Sequence, residues 1–168
     1  MRVVVVGGTG YTGGHVVREA VARGHEVVSI SRSAPAEPVP GVRYETGDAE
    51  DLAPRLVPGA DAVVATLSPR GGTAGRLVAL YDALARLAAD AGARYVQVGG
   101  FSSLRPEPGA PRFVEGEVPE AYRAEAQEGE ATRAALADGA PPTSTGSSSA
   151  PPRRTAPSRR ASAPGRTG

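Results

Sequence analysis

A short valine run that ends in a cluster of glycines constrains this chain more than any other feature. The run Arg2–Val6 is typical of a parallel strand that is buried on both faces. Residues 7–13, GGTGYTG, follow at once and satisfy the pattern G-x-x-G-x-x-G, and from Gly8 they also satisfy G-x-G-x-x-G. From Thr12 to Gly24 apolar residues recur at helical spacing. The order of strand, glycine turn and helix predicts a loop that binds the phosphates of a dinucleotide.

The residues of this turn are the predicted phosphate contacts. Glycines allow a tight turn and a close approach to the pyrophosphate, while free N–H groups and the dipole at the start of the helix favour an anion. The alternative is a glycine turn that binds no ligand. The predicted contacts are Gly7, Thr9, Gly10, Tyr11, Thr12 and Gly13.

Strand and helix patterns alternate along the chain up to residue 138. Further strands are predicted at residues 25–31, 42–46, 60–67 and 95–98, and further helices at 51–57, 77–91 and 119–138. This alternation predicts an α/β fold with a doubly wound, Rossmann-like parallel sheet in a single domain, followed by a disordered C-terminal tail. The apolar opening stops at Gly7, which is too short for a signal sequence or a membrane span. We therefore expect no membrane contact. Because the chain has no cysteine, a reducing compartment is favoured, and we expect a cytoplasmic protein.

The end of the second strand indicates which dinucleotide binds. An NAD site usually places an acidic residue there against the ribose 2′-hydroxyl, whereas this chain has Ser31, Arg32 and Ser33. A guanidinium flanked by hydroxyls suits a 2′-phosphate, and no carboxylate is present to repel it. Ser31 and Arg32 therefore favour NADP(H) over NAD(H), with a solvated surface arginine as the alternative.

Together, the motifs resemble a known family. They are, in chain order, GGTGYTG, Ser31-Arg32, Gly47-Asp48, Thr66-Leu67-Ser68-Pro69 and Val98-Gly99-Gly100. In this order they resemble the NAD(P)H-binding, NmrA-like branch of the atypical short-chain dehydrogenase/reductases over residues 1–138. The resemblance implies an NADPH-dependent oxidoreductase that acts on a small molecule.

The resemblance also implies roles for residues outside the glycine turn. Asp48, with Ala49 beside it, would contact the adenine. Thr66 and Leu67 would pass beside the ribose and the nicotinamide, and Gly99 would border the substrate. For Asp48, a role as the cap of the following helix is an equally good alternative and does not exclude the first.

A catalytic residue is harder to identify. Classical members of the superfamily pair a tyrosine with a lysine four residues later, but all 19 basic residues here are arginine, and Tyr122 is followed by Ala126. Ser102 follows the glycines of the fifth strand, where open α/β sheets bind ligands, so its hydroxyl can reach a substrate carbonyl or simply cap its own turn. Ser102 and Tyr122 are the weak catalytic candidates. Neither histidine has neighbouring metal-ligating residues, so no metal site is predicted.

Residues 139–168 differ sharply from the rest of the chain. They use only Gly, Ala, Pro, Ser, Thr and Arg and carry a net charge of +5, against −4 for residues 1–138. Without branched aliphatic or aromatic side chains they cannot offset the entropy of folding, so we predict disorder there. Relatives of the resembling family continue here with an apolar strand. Reading residues 144–152 one base earlier permits Leu-Asp-Trp-Val-Val-Val-Arg-Pro-Ala, and we interpret the tail as a frameshift near Pro142.

Three functions stay open on the sequence alone. The first is an NADPH-dependent reductase or isomerase-like enzyme, the second is a binding module that senses NADP(H) without turnover, and the third is an inactive truncated product. Hydride transfer to quinones, flavins and small carbonyls would separate the first two, and thermal denaturation would reveal the third. In each case we expect a small-molecule ligand and no nucleic-acid partner.

Overall fold

Five parallel strands form one sheet in the computed structural model, which describes residues 1–139. The strands are β1 (Arg2–Val6), β2 (Glu26–Ser31), β3 (Val42–Thr46), β4 (Ala62–Ala65) and β5 (Arg94–Gln97). The helices are α1 (Tyr11–Ala22), α2 (Ala49–Leu56), α3 (Leu77–Asp90) and α4 (Glu120–Gly139). The strand order is β3-β2-β1-β4-β5, so the predicted doubly wound sheet is confirmed. The order reverses beside β1, where open α/β sheets bind their ligands.

The valines of β1 explain why this strand lies at the centre of the sheet. Val4 pairs in register with Val28 of β2 on one side and with Val63 of β4 on the other. Val4 packs in the cluster that includes α2 and α3, whereas Val5 packs in a second cluster with α1. Because successive side chains of a strand point to opposite faces, a strand covered on both faces has to be apolar at every position.

The element boundaries differ from the predicted ones by one or two residues. β4 is shorter than the predicted 60–67, although the Thr66 amide still donates to the Val6 carbonyl at 2.9 Å. α2 begins at Ala49 rather than at residue 51, because Asp48 caps it. α4 includes Gly139, which the sequence assigned to the tail. The disorder predicted for residues 140–168 and the frameshift interpretation lie outside the described residues.

α4 packs against α3 and against the turn at Phe101–Ser103 that follows β5. It thereby covers the end of the sheet at which the strands β4 and β5 finish. Neither α4 nor any other helix within residues 1–139 combines the length and the apolar character needed to cross a bilayer.

Candidate functional site

The glycine turn is a tight loop that joins β1 to α1. Gly7 has a positive φ of 89°, a backbone conformation that side chains disfavour. Its carbonyl accepts a hydrogen bond from the Gly10 amide at 3.0 Å, and the Gly7 amide donates to Ile30 of β2 at 2.8 Å. The Gly14 amide then donates to the Gly10 carbonyl at 2.8 Å, which is the first bond of the helix. The loop is thus tied by its backbone both to the sheet and to α1.

Each glycine of the turn has a separate structural reason. A Cβ at Gly13 would collide with the Gly7 carbonyl and lie 2.7 Å from Thr66 Oγ1, so glycine permits the close packing of α1 on the loop. A Cβ at Gly8 would collide with the buried Ser29 hydroxyl. Gly10 has an ordinary φ of −75°, and a Cβ there would approach only the Gly7 carbonyl, at 3.2 Å. The space beside Gly10 is therefore left open on its outer side, as close approach of a phosphate requires.

The start of α1 supplies hydrogen-bond donors beside this open space. Gly10 is the N-cap and provides no side-chain cap, so the amides of Tyr11, Thr12 and Gly13 have no acceptor within the helix. These amides lie at the positive end of the helix dipole, which favours an anion. The Tyr11 ring is 88% exposed and meets the His15 ring edge-on at 5.1 Å between centroids. The observed donors and the open cradle fit a dinucleotide pyrophosphate.

Two predicted contact residues have hydroxyls that already hold the loop in place. Ser31 Oγ accepts a hydrogen bond from the Thr9 amide at 3.1 Å and donates to the Ile30 carbonyl at 2.8 Å. Thr66 Oγ1 donates to the Val6 carbonyl at 2.9 Å. Ser31 and Thr66 thus fasten the glycine loop to the ends of β2 and β4.

Arg32 follows β2 and Asp48 follows β3, so both lie at the carboxyl ends of parallel strands, as the glycine loop does. Arg32 is exposed and makes no ion pair within residues 1–139. Its guanidinium lies so close to Gly72, in the turn after β4, that a Cβ at Gly72 would collide with it. The arginine therefore reaches from the end of β2 across to the segment that follows β4.

The capping alternative for Asp48 is confirmed. Its Oδ1 accepts a hydrogen bond from the Glu50 amide at 3.0 Å at the start of α2. Ala49 is 8% exposed and packs in the core. Arg76, at the start of α3, pairs with Glu50 at 2.5 Å and so links the two helix ends on this side.

A cavity of about 460 Å³ opens beside the glycine loop. Its walls come from the start of α1, the segments that follow β4 and β5, and the inner face of α4. Of the predicted residues, the cavity is lined by Thr12, Thr66, Leu67, Gly99, Ser102 and Tyr122. Both catalytic candidates, Ser102 and Tyr122, therefore line the same cavity as Thr12 and Thr66, which lie beside the glycine loop.

Aromatic rings form one part of the cavity wall. Phe101 and Phe113 stack with their centroids 4.4 Å apart and their planes 19° from parallel. Phe101 is nevertheless 63% exposed, and Tyr122 is 59% exposed. Both phenylalanines line the cavity, and sequence reasoning missed them because each lies in a loop without periodic pattern.

Tyr81 is one of the buried, mostly apolar residues of α3, a segment for which the sequence predicted a helix and no site residue. Its hydroxyl donates to the Leu67 carbonyl at 2.7 Å, which fixes the end of β4 at the cavity. Burial raises the pKa of this phenol well above its ordinary value. The phenol therefore stays protonated and acts as a donor. In the sequence, a tyrosine hydroxyl on an otherwise apolar helix face is the signal that could have indicated this contact.

Acidic residues of α4 attach this helix to the rest of the site. Glu125 receives two hydrogen bonds from Arg70, at 2.7 and 2.8 Å. Glu128 accepts from the amides of Gly75 and Leu77 at 2.7 and 2.8 Å, and so satisfies the start of α3. These contacts join segments more than fifty residues apart, which no local sequence pattern indicates.

A third acidic residue of α4, Glu130, holds the loop that carries Phe113. Arg112 lies 3.2 Å from Glu130 and also donates to the Ser103 carbonyl at 2.5 Å. Arg133 pairs with the same carboxylate at 2.7 Å. Burial alone would raise the pKa of Glu130, but the hydrogen bonds from Arg133 and the charges of Arg133 and Arg112 outweigh it, and the pKa is lowered. Glu130 is thus a carboxylate that stabilises one wall of the cavity.

Within residues 1–139, no three or more histidine or acidic side chains gather in a way that would hold a metal ion. The polar groups beside the loop and the cavity are amides, hydroxyls, carboxylates and guanidinium groups. These are the groups with which proteins bind nucleotides and small organic molecules.

A glycine loop at the start of a helix, placed where the order of a parallel sheet reverses, defines a dinucleotide-binding domain of the Rossmann class. The family described as NAD(P)H-binding matches residues 7–138, and the chain belongs to this family.

Relatives and solved structures agree with this class. The chain is 44% identical over 77 residues to a chloroplastic divinyl chlorophyllide a 8-vinyl-reductase of Oryza sativa subsp. indica, a match over 41% of this chain and 18% of that protein. A Streptococcus pneumoniae structure described as a candidate NADH-flavin reductase superposes with a TM-score of 0.64 at 25% identity, over 81% of this chain and 65% of that one. The Bordetella bronchiseptica enzyme WbmG in complex with NAD shares the fold, with a TM-score of 0.62 at 20% identity over 82% and 49% of the two chains. The chain thus spans less than two thirds of the length of each of these three proteins.

Proposed function

We propose that this protein is an NADPH-dependent oxidoreductase of the NmrA-like, atypical short-chain dehydrogenase/reductase type that acts on a small molecule. The observation that carries the proposal is the single cavity shared by Thr12 of α1, Thr66 and Leu67 after β4, and Gly99 after β5. A substrate in this cavity would lie at the nicotinamide end of a cofactor whose pyrophosphate rests on the glycine loop. The NADH-flavin reductase similarity and the reductase relative support hydride chemistry.

Separate parts of the chain would hold separate parts of the cofactor. The amides of Tyr11, Thr12 and Gly13 would bind the pyrophosphate, with Gly7, Thr9 and Gly10 shaping the loop. Asp48 and Ala49 would border the adenine. Thr66, Leu67 and Gly99 would border the ribose and the nicotinamide. When bound, the reduced nicotinamide supplies a hydride.

The preference for NADP(H) rests on Ser31 and Arg32. Arg32 has no acidic partner among the described residues, and its guanidinium lies beside Gly72, in the turn after β4. A planar guanidinium in that place suits a phosphate, which it can bind through two parallel hydrogen bonds. Ser31 would hold the neighbouring backbone through its bond to the Thr9 amide at 3.1 Å.

Ser102 and Tyr122 are the candidates for substrate contact. Both line the cavity, and each hydroxyl can donate a hydrogen bond to a carbonyl oxygen that gains negative charge during hydride transfer. Neither residue has a lysine partner, because the chain contains none. We also propose a cytoplasmic location, which the absence of cysteine supports.

The test is oxidation of NADPH in the presence of a panel of quinones, flavins and small carbonyls. We expect at least one acceptor to be reduced, with NADPH preferred over NADH. Ser102→Ala or Tyr122→Phe should then lower kcat by about 100-fold if its hydroxyl is the donor. Tyr44→Phe is the matched control, because the Tyr44 hydroxyl contacts the Val39 amide at 3.2 Å, on β3 and away from the cavity. Equal rates for all variants would exclude both candidates.

The second candidate function is a module that senses NADP(H) without turnover. The observation in its favour is the lack of any lysine to activate Tyr122. NADPH binding that leaves every acceptor of the panel unreduced would establish this alternative.

A further inference from the structure

The wall of the cavity contains exposed aromatic rings and acidic side chains. The Phe101 ring is 63% exposed although it stacks on Phe113 at 4.4 Å, and the Tyr122 ring is 59% exposed. Large aromatic side chains that line a cavity and stay open to solvent are typical of sites that bind flat rings. A bound ring would remove this apolar surface from water and gain stacking contacts.

Among residues 1–139, the charged side chains that line the cavity are all acidic. They are Glu117 and Glu125. Glu117 is exposed and makes no ion pair among the described residues. Glu125 is the partner of Arg70, whose guanidinium is held by both carboxylate oxygens, at 2.7 and 2.8 Å. Away from the start of α1, whose amides would be occupied by the cofactor pyrophosphate, the described cavity lining therefore carries at least one carboxylate without an ion pair.

The arginine next to the lining residue Phe113 already has partners in the fold. Arg112 donates to the Ser103 carbonyl and shares the Glu130 carboxylate, 3.2 Å away, with Arg133. Arg112 is also absent from the cavity lining. A sulfonate, phosphate or carboxylate on a ligand in the cavity would then meet like charge at Glu117 and Glu125, while no arginine of residues 1–139 lines the cavity.

We propose that the cavity binds flat aromatic molecules that carry no negative charge, and that Glu117 and Glu125 exclude their anionic analogues. This inference rests on the proposed function, because such a molecule would be the hydride acceptor. An uncharged quinone meets the description, whereas a flavin that carries its phosphate inside the cavity does not. Two-electron reduction of a quinone consumes one hydride from NADPH and one proton from solvent, and yields NADP⁺ and the hydroquinone.

The test compares two quinones that differ mainly in charge. Menadione and 1,4-naphthoquinone-2-sulfonate are equilibrated by dialysis with the full chain, once without nucleotide and once with NADP⁺, which cannot reduce them. We expect menadione to bind at least about tenfold more tightly than the sulfonate, with a difference that shrinks at high salt. Equal binding, or tighter binding of the sulfonate, would overturn the proposal.

Variants assign the discrimination to particular side chains. Glu117→Gln and Glu125→Gln should each reduce the ratio of the affinity for menadione to the affinity for the sulfonate. The second substitution should reduce it more strongly, because it also frees Arg70. Glu107→Gln is the matched control, since Glu107 is exposed and does not line the cavity. Phe101→Ala should weaken the binding of both quinones by a similar factor. A ratio that stays constant in both glutamine variants would contradict the role of the carboxylates.

NADPH binding in the same samples separates the two proposals. If NADPH binds and neither quinone does, the acceptor class is wrong while the proposed function stands. If the quinones bind with the expected ratio and NADPH does not, the proposed function fails while the selectivity of the cavity stands.

Discussion

The glycine loop at residues 7–13 is held by backbone hydrogen bonds over a few residues, whereas the cavity walls are joined by side chains from distant segments. In the loop, the Gly10 amide bonds to Gly7 at 3.0 Å. In the cavity, Arg70 bonds to Glu125, 55 residues away. The cofactor side of the groove therefore depends on backbone shape, and the cavity side on the placement of α4. Substitutions should act differently on the two sides.

The largest effect should come from Gly10→Val, which tests the cofactor side. Gly10 has an ordinary φ of −75°, and a Cβ there approaches only the Gly7 carbonyl. A branched side chain would fill the place of the pyrophosphate, so NADPH affinity should fall by about 100-fold or more while the melting temperature changes little.

Two neighbouring glycines serve as controls for that substitution. Gly14→Val adds a side chain whose Cβ makes ordinary contacts of 3.6 Å or more, and should leave binding largely intact. Gly13→Val forces α1 away from the loop and should destabilise the fold itself. Normal NADPH binding by Gly10→Val, measured by fluorescence titration, would place the phosphate site elsewhere.

Arg32→Ala should have the next largest effect, and it should depend on the cofactor. The loss of a charge-assisted contact to the 2′-phosphate should weaken NADPH binding by about 1.5–3 kcal/mol and leave NADH nearly unchanged. Arg23→Ala is the control, because Arg23 pairs with Glu19 on the outer face of α1. Equal losses for both cofactors in parallel titrations would contradict a 2′-phosphate contact.

Glu130→Gln tests the cavity side through its stability. Because the pKa of Glu130 is lowered in the folded protein, its carboxylate stabilises the fold above the ordinary pKa of glutamate, and this contribution is lost as the pH falls through the lowered value. At neutral pH the substitution should cost roughly 1–2 kcal/mol of unfolding free energy, since Arg112 and Arg133 lose a charged acceptor.

Denaturant unfolding at several pH values measures this contribution. The parent protein should lose more stability than Glu130→Gln as the pH falls below about 4.3, the ordinary pKa of glutamate. Glu120→Gln, at a carboxylate that is 87% exposed, should follow the parent. Parallel curves for the parent and Glu130→Gln would show that the network adds nothing to stability.

The smallest effect should come from Tyr81→Phe, which acts on the boundary between the two sides. It removes the donor to the Leu67 carbonyl at 2.7 Å, so the unfolding free energy should fall by about 1 kcal/mol. Because Leu67 would border the nicotinamide, the KM for NADPH should rise slightly. An unchanged stability and KM would mean that the Leu67 carbonyl finds another donor.

The same contrast explains how much the sequence could predict. The strands and the glycine loop depend on contiguous residues, so β1 was predicted to the residue and the doubly wound parallel sheet was predicted from the α/β alternation. The contacts of Glu128 with Gly75 and Leu77, and of Arg70 with Glu125, depend on where α4 lies. That position is set by packing on α3 and leaves no periodic signal in the sequence.

Titration of the full chain with NADPH and with NADH tests the central claim most directly. Cofactor fluorescence should show saturable binding of one NADPH per chain, with NADH bound about tenfold or more weakly because it lacks the phosphate for Arg32. The signal should disappear in Gly10→Val under conditions in which that variant remains folded. Absence of saturable binding of either cofactor to the folded chain would contradict the account.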